Sequence, residues 1–253
     1  MTDEINMRES WNLISPHYQK KHQISADFVH YGPHCPNEDQ LQLIGDVRGK
    51  HILEIGCGGG QCSIAFAKRG AIAAGIDLSD AQIEFARKSA QKEGVEATFS
   101  QGNIEDLSAV PDASQDVVFS AFALHYVKDI THCLAEVRRV LVPGGLLVFS
   151  LDHPFWDCLA DDSMKIVRSY HNCSPWVWDW GEFKDIGVCA TMRSFHRKVG
   201  EWFRLLREAG LQVLEILEPE PVESGSGQDW SNYYSPQRQR MVPANIIWKA
   251  RKP

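Results

Sequence analysis

Apolar residues are distributed along the chain in two patterns, short continuous runs and segments with helical spacing. The run HILEI at residues 51–55 is typical of a buried strand, and the segment QCSIAFAKR shortly after it has helical spacing and stops at Gly70. Later runs predict strands over AIAAGID, ATFSQ, DVVFSAF and LLVFSL, with helices over SDAQIEFARKSAQKEG and DITHCLAEVRRVL. This alternation with short loops predicts an α/β fold, in which helices cover both faces of a parallel sheet.

Local signals mark where some of these segments begin and end. Ser79 followed three positions later by Gln82 is the pattern of a capping box, and Gly94 is placed to end the same helix. Near the N-terminus, Pro16 is expected to break or kink a helix. The segment VESGSGQ at 222–228 is predicted to be a flexible loop.

The charge and residue composition of the chain argue against several classes of binding partner. The 253 residues carry a formal net charge of -7 and no long Lys/Arg cluster, which argues against nucleic acid as a partner. There is no signal-peptide pattern, and no apolar stretch approaches the ~20 residues of a membrane span. Seven cysteines without a C-x-x-C pair favour reduced thiols in a cytoplasmic protein. No metal is expected, because the early histidines and cysteine lack ligand spacing: His17, His22, His30, His34 and Cys35.

The chain places four glycines in five positions, residues 56–60, at the turn between the first predicted strand and the helix after it. An open α/β sheet binds its ligand at such a turn, against the helix N-terminus. The dinucleotide pattern G-x-G-x-x-G would need glycine where the chain has Gln61, so a nicotinamide-dependent oxidoreductase is the weaker alternative. Asp77 ends the second strand about 20 residues on, where a carboxylate can accept bonds from ribose hydroxyls.

With these motifs in order, the sequence resembles the class I S-adenosylmethionine-dependent methyltransferases, especially the small-molecule enzymes grouped with the quinone-biosynthesis methyltransferases. LEIGCGGG resembles the family's glycine motif, GIDLS its acidic strand end and QGNIEDL its adenine-contact segment. DVVFSAFALHYV and VLVPGGLLVFS resemble its fourth-strand region and the entry to its fifth strand. The resemblance runs from about residue 51 to 151 and returns weakly over 194–221.

The resemblance implies a Rossmann-like, seven-stranded and mostly parallel sheet, with the last strand, ANIIWKARK, reversed beside LQVLEILE. We expect a single methyltransferase domain over 1–253. Its parts would be an N-terminal helical lid (1–48), a cofactor-binding core (49–151), a substrate cap (152–193) and C-terminal helix and strands (194–253).

S-adenosylmethionine is the implied cofactor. The resemblance places its methionyl part at Gly56, Gly58 and Gly60 and its ribose at Asp77. Asn103, where relatives often carry Asp, could still accept from the adenine amino group through its amide oxygen. The other predicted cofactor residues are Glu54, Cys57, Leu78, Ile104 and Ala121; plain core packing stays open for the last three.

The implied reaction is in-line displacement of the sulfonium methyl by a small-molecule acceptor. The acceptor atom (O, N, S or C) is undetermined, with an amine slightly favoured. His125 and His153 follow the fourth and fifth strands and are candidate general bases, although either could serve only in capping or backbone hydrogen bonding. A catalytically silent S-adenosylmethionine-binding subunit would share every cofactor motif.

Aromatic residues are the candidates for substrate contact. Trp176, Trp178 and Trp180 alternate and would share one face of an extended segment, with Asp179 and Glu182 adding negative charge. Such a pocket would suit a planar or cationic acceptor, while packing of the cap is the alternative. The remaining substrate candidates are Trp11 and Tyr18 on the N-terminal lid or docking helix, Tyr126, and His196.

Overall fold

The computed structural model of the chain describes residues 5–222 and 232–253, so the predicted loop at 222–228 lies, apart from Val222, outside the described residues. Its helices are α1 (Met7–His22), α2 (Glu38–Leu41), α3 (Gln61–Lys68), α4 (Asp80–Glu93), α5 (Ile130–Val140), α6 (Val199–Glu208) and α7 (Pro236–Gln239). Its strands are β1 (His51–Ile55), β2 (Ile72–Asp77), β3 (Ala97–Gln101), β4 (Gln115–Ala121), β5 (Leu141–Asp152), β6 (Trp176–Trp180), β7 (Ala190–Ser194), β8 (Gln212–Leu217) and β9 (Asn245–Arg251).

Seven strands form one sheet in the order β3-β2-β1-β4-β5-β9-β8. The pairs from β3 to β5 are parallel, whereas β9 runs antiparallel to both β5 and β8. The predicted mostly parallel sheet with a reversed last strand is therefore confirmed. Strand order reverses between β1 and β4, and open α/β sheets bind ligands at such a switch point.

Helices cover both faces of this sheet. On one face, Val137 of α5 and Trp202 of α6 are buried, and the Trp202 ring lies 5.2 Å from that of Phe149 in β5. On the other face, Phe66 of α3 lies 5.3 Å from Phe119 of β4. The inner strands are thus apolar on both sides, which explains why they read as continuous apolar runs in the sequence.

Helix α4 begins and ends as its sequence predicts, but its capping box is only half formed. The Ser79 hydroxyl accepts from the Gln82 N–H at 3.2 Å, and Gly94 ends the helix with a φ of 68°. The reciprocal bond, from the Ser79 N–H to the Gln82 side chain, is missing. The Ser79 N–H donates to Asp77 instead, and the Gln82 side-chain oxygen accepts from Gln19. Tertiary contact therefore overrides the local motif.

Helix α1 runs through Pro16 from Met7 to His22, so of the predicted break or kink the break is wrong. Proline cannot donate to the preceding turn, and in that turn the Ser15 hydroxyl donates to the Trp11 carbonyl at 2.5 Å. Arg8 and Asn12 both bond Asp80, which holds α1 against the start of α4.

Strands β6 and β7 form a separate antiparallel hairpin. The rings of Trp176, Trp178 and Trp180 follow one another at 6.1 and 5.5 Å, as predicted for an extended segment. The backbone N–H of Phe195, just after β7, donates to the His125 carbonyl at 2.8 Å and ties the hairpin to the loop after β4. Within the described residues, no helix is long and apolar enough to cross a membrane.

Candidate active site

A cavity of about 1310 Å³ opens at the carboxyl ends of β1, β2, β4 and β5, and α1 and the β6–β7 hairpin form its outer walls. Three predicted site residues, Gly60, His153 and His196, do not line it. The other predicted residues do: Trp11, Tyr18, Glu54, Gly56, Cys57, Gly58, Asp77, Leu78, Asn103, Ile104, Ala121, His125, Tyr126, Trp176, Trp178 and Trp180.

The glycines of the turn after β1 are needed for two different reasons. A Cβ on Gly56 would lie 2.2 Å from the Ala123 Cβ, and one on Gly60 would lie 2.7 Å from the Phe99 ring, so packing within the protein excludes side chains at both. Gly58 differs, because its Cβ would meet nothing nearer than the Gln82 side chain at 3.8 Å. Its φ of 51° favours glycine, and the open space beside it leaves room for a ligand to approach the backbone.

The Asp77 carboxylate is built into this turn. One oxygen accepts from the Gly58 N–H and the other from the Ser79 N–H, each at 2.8 Å. Burial raises the pKa of Asp77, although these backbone bonds oppose the shift. A carboxylate has about four acceptor sites, so Asp77 can hold the loop and still accept hydroxyl donors from the cavity.

Glu54 is the second buried carboxyl beside the glycine turn. Its Oε2 accepts from both the hydroxyl and the backbone N–H of Ser63 in α3. Burial raises the pKa of Glu54 to about 8 despite these bonds, and the negative charge of Asp77 adds to the shift. Glu54 is therefore largely a neutral acid at pH 7 until a positive group arrives.

The loop after β3 forms the far end of the cavity. The Asn103 side-chain oxygen accepts from the Glu105 N–H at 3.0 Å, which leaves one lone pair and the NH₂ group for other partners. Ile104 is buried and belongs to the core that includes Val118. Cys57 is also buried, against the backbone of Gly75, and burial raises the pKa of its thiol.

His125 lies in a short 3-10 turn, Leu124–Tyr126, just after β4. Its side chain makes no hydrogen bond among the described residues, and its Nδ1 is buried. Burial lowers the pKa of His125 to about 3, and the positive charge of Arg197 contributes. The ring is therefore a neutral imidazole on the cavity wall, with its centroid 4.1 Å from that of the Tyr126 ring and the two planes tilted by 50°.

The other two predicted histidines lie behind the cavity wall. His153 Nε2 lies 2.8 Å from a Glu218 carboxylate oxygen, and its Nδ1 accepts from the Phe155 N–H at 3.1 Å. Both of its nitrogens are therefore engaged within the fold.

His196 is held through Nε2, which lies 3.1 Å from the Tyr170 carbonyl and must donate to it. Its Nδ1 lies 3.4 Å from an Asp157 carboxylate oxygen. Of this pair, Asp157 faces the cavity and His196 stands behind it.

Two aspartates that the sequence analysis did not select line the same region. Asp152 ends β5 and accepts from the Tyr234 hydroxyl at 2.7 Å, and Asp157 follows five residues later. Burial raises the pKa of both carboxyls. The sequence LDHPFWD could have indicated them, because these two acids lie on either side of His153, which was predicted as a site residue.

Aromatic rings from three parts of the chain form one wall. The Trp11 ring of α1 lies 5.5 Å from both Tyr126 and Trp180, and Tyr18 lies 5.8 Å from Trp180. The Trp180 indole N–H donates to Glu182 at 3.1 Å. The structure therefore brings the predicted aromatic residues of α1, the 3-10 turn and the hairpin together.

A buried chain of three glutamines was also missed. The Gln61 amide donates to Gln19 at 2.7 Å, and the Gln19 amide donates to Gln82 at 2.8 Å. Gln19 lies directly over the glycine turn, since a Cβ on Gly59 would be 2.6 Å from its amide nitrogen. This chain couples α1 to the N-terminal ends of α3 and α4.

Comparison with known proteins agrees with this geometry. Residues 53–149 match the family model described as a methyltransferase domain. A structure from Listeria monocytogenes, assigned to the S-adenosylmethionine-dependent methyltransferases, is 26% identical with a TM-score of 0.68, covering 85% of this chain and 96% of its own. A second such methyltransferase, from Mesorhizobium loti, is 25% identical with a TM-score of 0.64, covering 84% and 95%. The chain belongs to the S-adenosylmethionine-dependent methyltransferases.

Two proteins that are similar in sequence differ in how much of this chain they match. An uncharacterized Haemophilus influenzae protein is 35% identical over 100% of this chain and 99% of its own length. The ubiquinone biosynthesis O-methyltransferase of Alkalilimnicola ehrlichii is 35% identical, but the match covers only 43% of this chain and 44% of that enzyme. The methyltransferase therefore uses S-adenosylmethionine, and neither the nicotinamide-dependent nor the silent alternative is favoured.

Among the described residues, no group of three or more His, Cys, Asp or Glu side chains could hold a metal ion.

Proposed function

We propose that this methyltransferase transfers a methyl group to the nitrogen of a small-molecule amine. The carrying observation is the pair Asp152 and Asp157, two half-buried carboxyls on the cavity wall. Among the described residues neither forms an ion pair with a Lys or Arg. Each carboxyl already has one hydrogen-bonding partner in the protein, Tyr234 or His196, and a protonated amine would add the positive charge that is missing. The O-methyltransferase relatives match less than half of the chain, so their acceptor chemistry is not carried over.

The cofactor would be held at the inner half of the cavity by groups that fit it. The open backbone beside Gly58 would receive the methionyl part, Asp77 the ribose hydroxyls, and Asn103 with Ile104 the adenine. Glu54 would bind the ammonium group of the cofactor, which would favour the ionised form of the carboxyl. When bound, the cofactor supplies an electrophilic methyl group on a positively charged sulfur.

The protein's main contribution would be alignment and exclusion of water. Trp11, Tyr126 and Trp180 close the cavity on the side of α1 and the hairpin. Their faces favour a cation or a flat apolar body. Holding donor and acceptor in line can account for much of the acceleration of a displacement.

An ammonium must lose a proton before its nitrogen can attack. In the proposed step the proton would pass to Asp157, and the freed lone pair would be available to the methyl group that the bound cofactor would supply. The methyl–sulfur bond would break as the methyl–nitrogen bond forms, so that the cofactor would leave neutral and the amine would carry the positive charge. His196 shares the proton through Nδ1 while its Nε2–H stays on the Tyr170 carbonyl. The raised pKa of Asp157 suits this role, since a base works best when its pKa is near the working pH. The neutral His125 stays the alternative proton acceptor.

The test is a metabolite-library screen that reads out release of the demethylated cofactor, with mass spectrometry to locate the added methyl. Methylation of an amine nitrogen is expected, with Asp77→Ala as a control that weakens cofactor binding. A methyl placed on oxygen, sulfur or carbon would overturn the amine assignment while leaving the methyltransferase activity in place.

A further inference from the structure

His30 is a cavity residue that has no part in the proposed transfer. Its neighbours along the chain, Val29 and Tyr31, are fully buried in the core that includes Phe119. The His30 side chain is only partly buried. The core therefore fixes the backbone on both sides of His30, while its ring stands on the cavity wall.

The backbone places His30 beside the first turn of α3. The Cys62 thiol, in the helix that follows the glycine turn, donates to the His30 carbonyl at 3.7 Å. Two residues after His30, Gly32 packs against the Phe122 ring, since a Cβ on Gly32 would lie 2.2 Å from it. The segment thus crosses from α3 to the residue after β4, at the end of the cavity where the methionyl part of the cofactor is proposed to lie.

The His30 ring forms no hydrogen bond among the described residues, and its Nδ1 is buried. A buried polar atom normally has a partner. Two other histidines that line the cavity stand elsewhere: His22 lies 3.3 Å from Glu182, and His125 lies against the Tyr126 ring after β4. Of the three, His30 is the one beside the helix that follows the glycine turn.

The amino-acid end of the cofactor carries an ammonium and a carboxylate, which need opposite partners. Glu54 and Asp77, the acids at the glycine turn, attract the ammonium and repel the carboxylate when they are ionised. Arg8 and Lys21 also line the cavity, but each already pairs with an acid of the protein. The carboxylate therefore needs donors from another part of the wall.

The first turn of α3 and His30 can together supply these donors. No side chain caps α3 at Gly60, and a helix N-terminus favours an anion. Burial lowers the pKa of His30 to about 4, so its ring is neutral at pH 7. A neutral imidazole has one N–H to donate.

We propose that His30 donates a hydrogen bond to the carboxylate of S-adenosylmethionine at the N-terminus of α3. This inference rests on the proposed placement of the cofactor and not on the amine acceptor. With Glu54 on the ammonium, the two side chains would hold both charged groups of the methionyl end and so set the direction of its sulfur. His30 would also make the cavity prefer the intact cofactor over a form without the carboxylate.

The experiment titrates the protein by calorimetry with S-adenosylhomocysteine and with S-adenosyl-3-thiopropylamine, the same molecule without its carboxylate. His30→Ala should weaken S-adenosylhomocysteine by about tenfold, the loss expected for a hydrogen bond to a charged group. It should leave the decarboxylated analogue unchanged. His30→Gln keeps an N–H donor and should bind S-adenosylhomocysteine with intermediate affinity. The matched control is His132→Ala, exposed on α5, which should bind both ligands like the wild type.

Equal losses for the two ligands in His30→Ala would reduce the residue to packing, and an unchanged affinity for S-adenosylhomocysteine would remove it from the site. Either result would overturn the inference. His30→Leu, which keeps apolar volume without a donor, should lose the same preference and decides the question if His30→Ala is unstable.

Failure of this inference is distinguishable from failure of the proposed function. The titration contains no acceptor, so a methyl found on oxygen in the screen removes the amine and leaves the role of His30 in place. Asp77→Ala should weaken both ligands alike, because both carry the ribose. If Asp77→Ala weakens both while His30→Ala weakens neither, the inference alone fails.

Discussion

Glu54 is a residue whose charge the fold controls, and this control should be visible in cofactor binding. With a pKa of about 8 it is mostly protonated in the free protein at neutral pH. If the ammonium of S-adenosylhomocysteine binds the carboxylate, binding must release that proton. Affinity should then rise with pH between about 6 and 7.5, approaching tenfold per pH unit. Calorimetry across this range measures it.

Glu54→Gln is the matched control, since it keeps the shape and can still accept from Ser63. This variant should bind more weakly and with a flat pH profile. A profile as steep as that of the wild type would assign the proton to another group.

At the same scale, Asp157 and His125 are competing proton acceptors. His125 has a pKa of about 3 and accepts a proton poorly, whereas burial raises the pKa of Asp157 toward the working range. Once an acceptor is known, Asp157→Asn should lower kcat by ~100-fold or more and leave cofactor affinity nearly unchanged. His125→Ala should lower kcat less. The reverse order of the two losses would move the proton to His125.

At the scale of elements, α1 is coupled to the cofactor turn by the glutamine chain. Gln19→Leu would leave Gln61 and Gln82 without their partner, and each lost bond costs about 0.5–1.5 kcal/mol. A Tm lower by several degrees is expected, together with weaker binding of S-adenosylhomocysteine and faster proteolysis within α1. Lys20→Leu, exposed on the same helix, should change none of these. Loss of Tm with unchanged binding and proteolysis would make the chain purely structural.

The tryptophan row of β6 has its own test. Trp178 is partly buried and lines the cavity, so Trp178→Leu keeps apolar volume while removing the ring face. We expect the KM for the acceptor to rise severalfold with little change in Tm. A large fall in Tm with an unchanged KM would leave the ring only a packing role.

These elements also show which features the sequence can predict. The strands around the switch point could be predicted from the sequence because both of their faces are buried. A strand that is buried on both faces requires a continuous run of apolar residues. The unbroken path of α1 through Pro16 could not be predicted from the sequence. Helix α1 is held by Asp80 and by contacts with the hairpin, both of which are distant along the chain. The bond from Tyr234 to Asp152 joins residues 82 positions apart, and no local pattern marks such a pair.

For the whole molecule, cofactor binding should stabilise the fold, because the site joins β1, β2, β4, α1 and the hairpin, which are ordered together only in the folded state. At a ligand concentration 100 times Kd the gain is about 2.7 kcal/mol, and a chain of this size gains about 2–4 °C per kcal/mol. S-adenosylhomocysteine should therefore raise the Tm by about 5–10 °C in a thermal-shift measurement.

NAD at the same concentration should leave the Tm unchanged, since Gln61 replaces the third glycine of the dinucleotide pattern. Asp77→Ala should reduce the shift from S-adenosylhomocysteine, because it removes both the proposed ribose acceptor and the bond to the Gly58 N–H. An equal shift from NAD would instead assign the glycine turn to a dinucleotide.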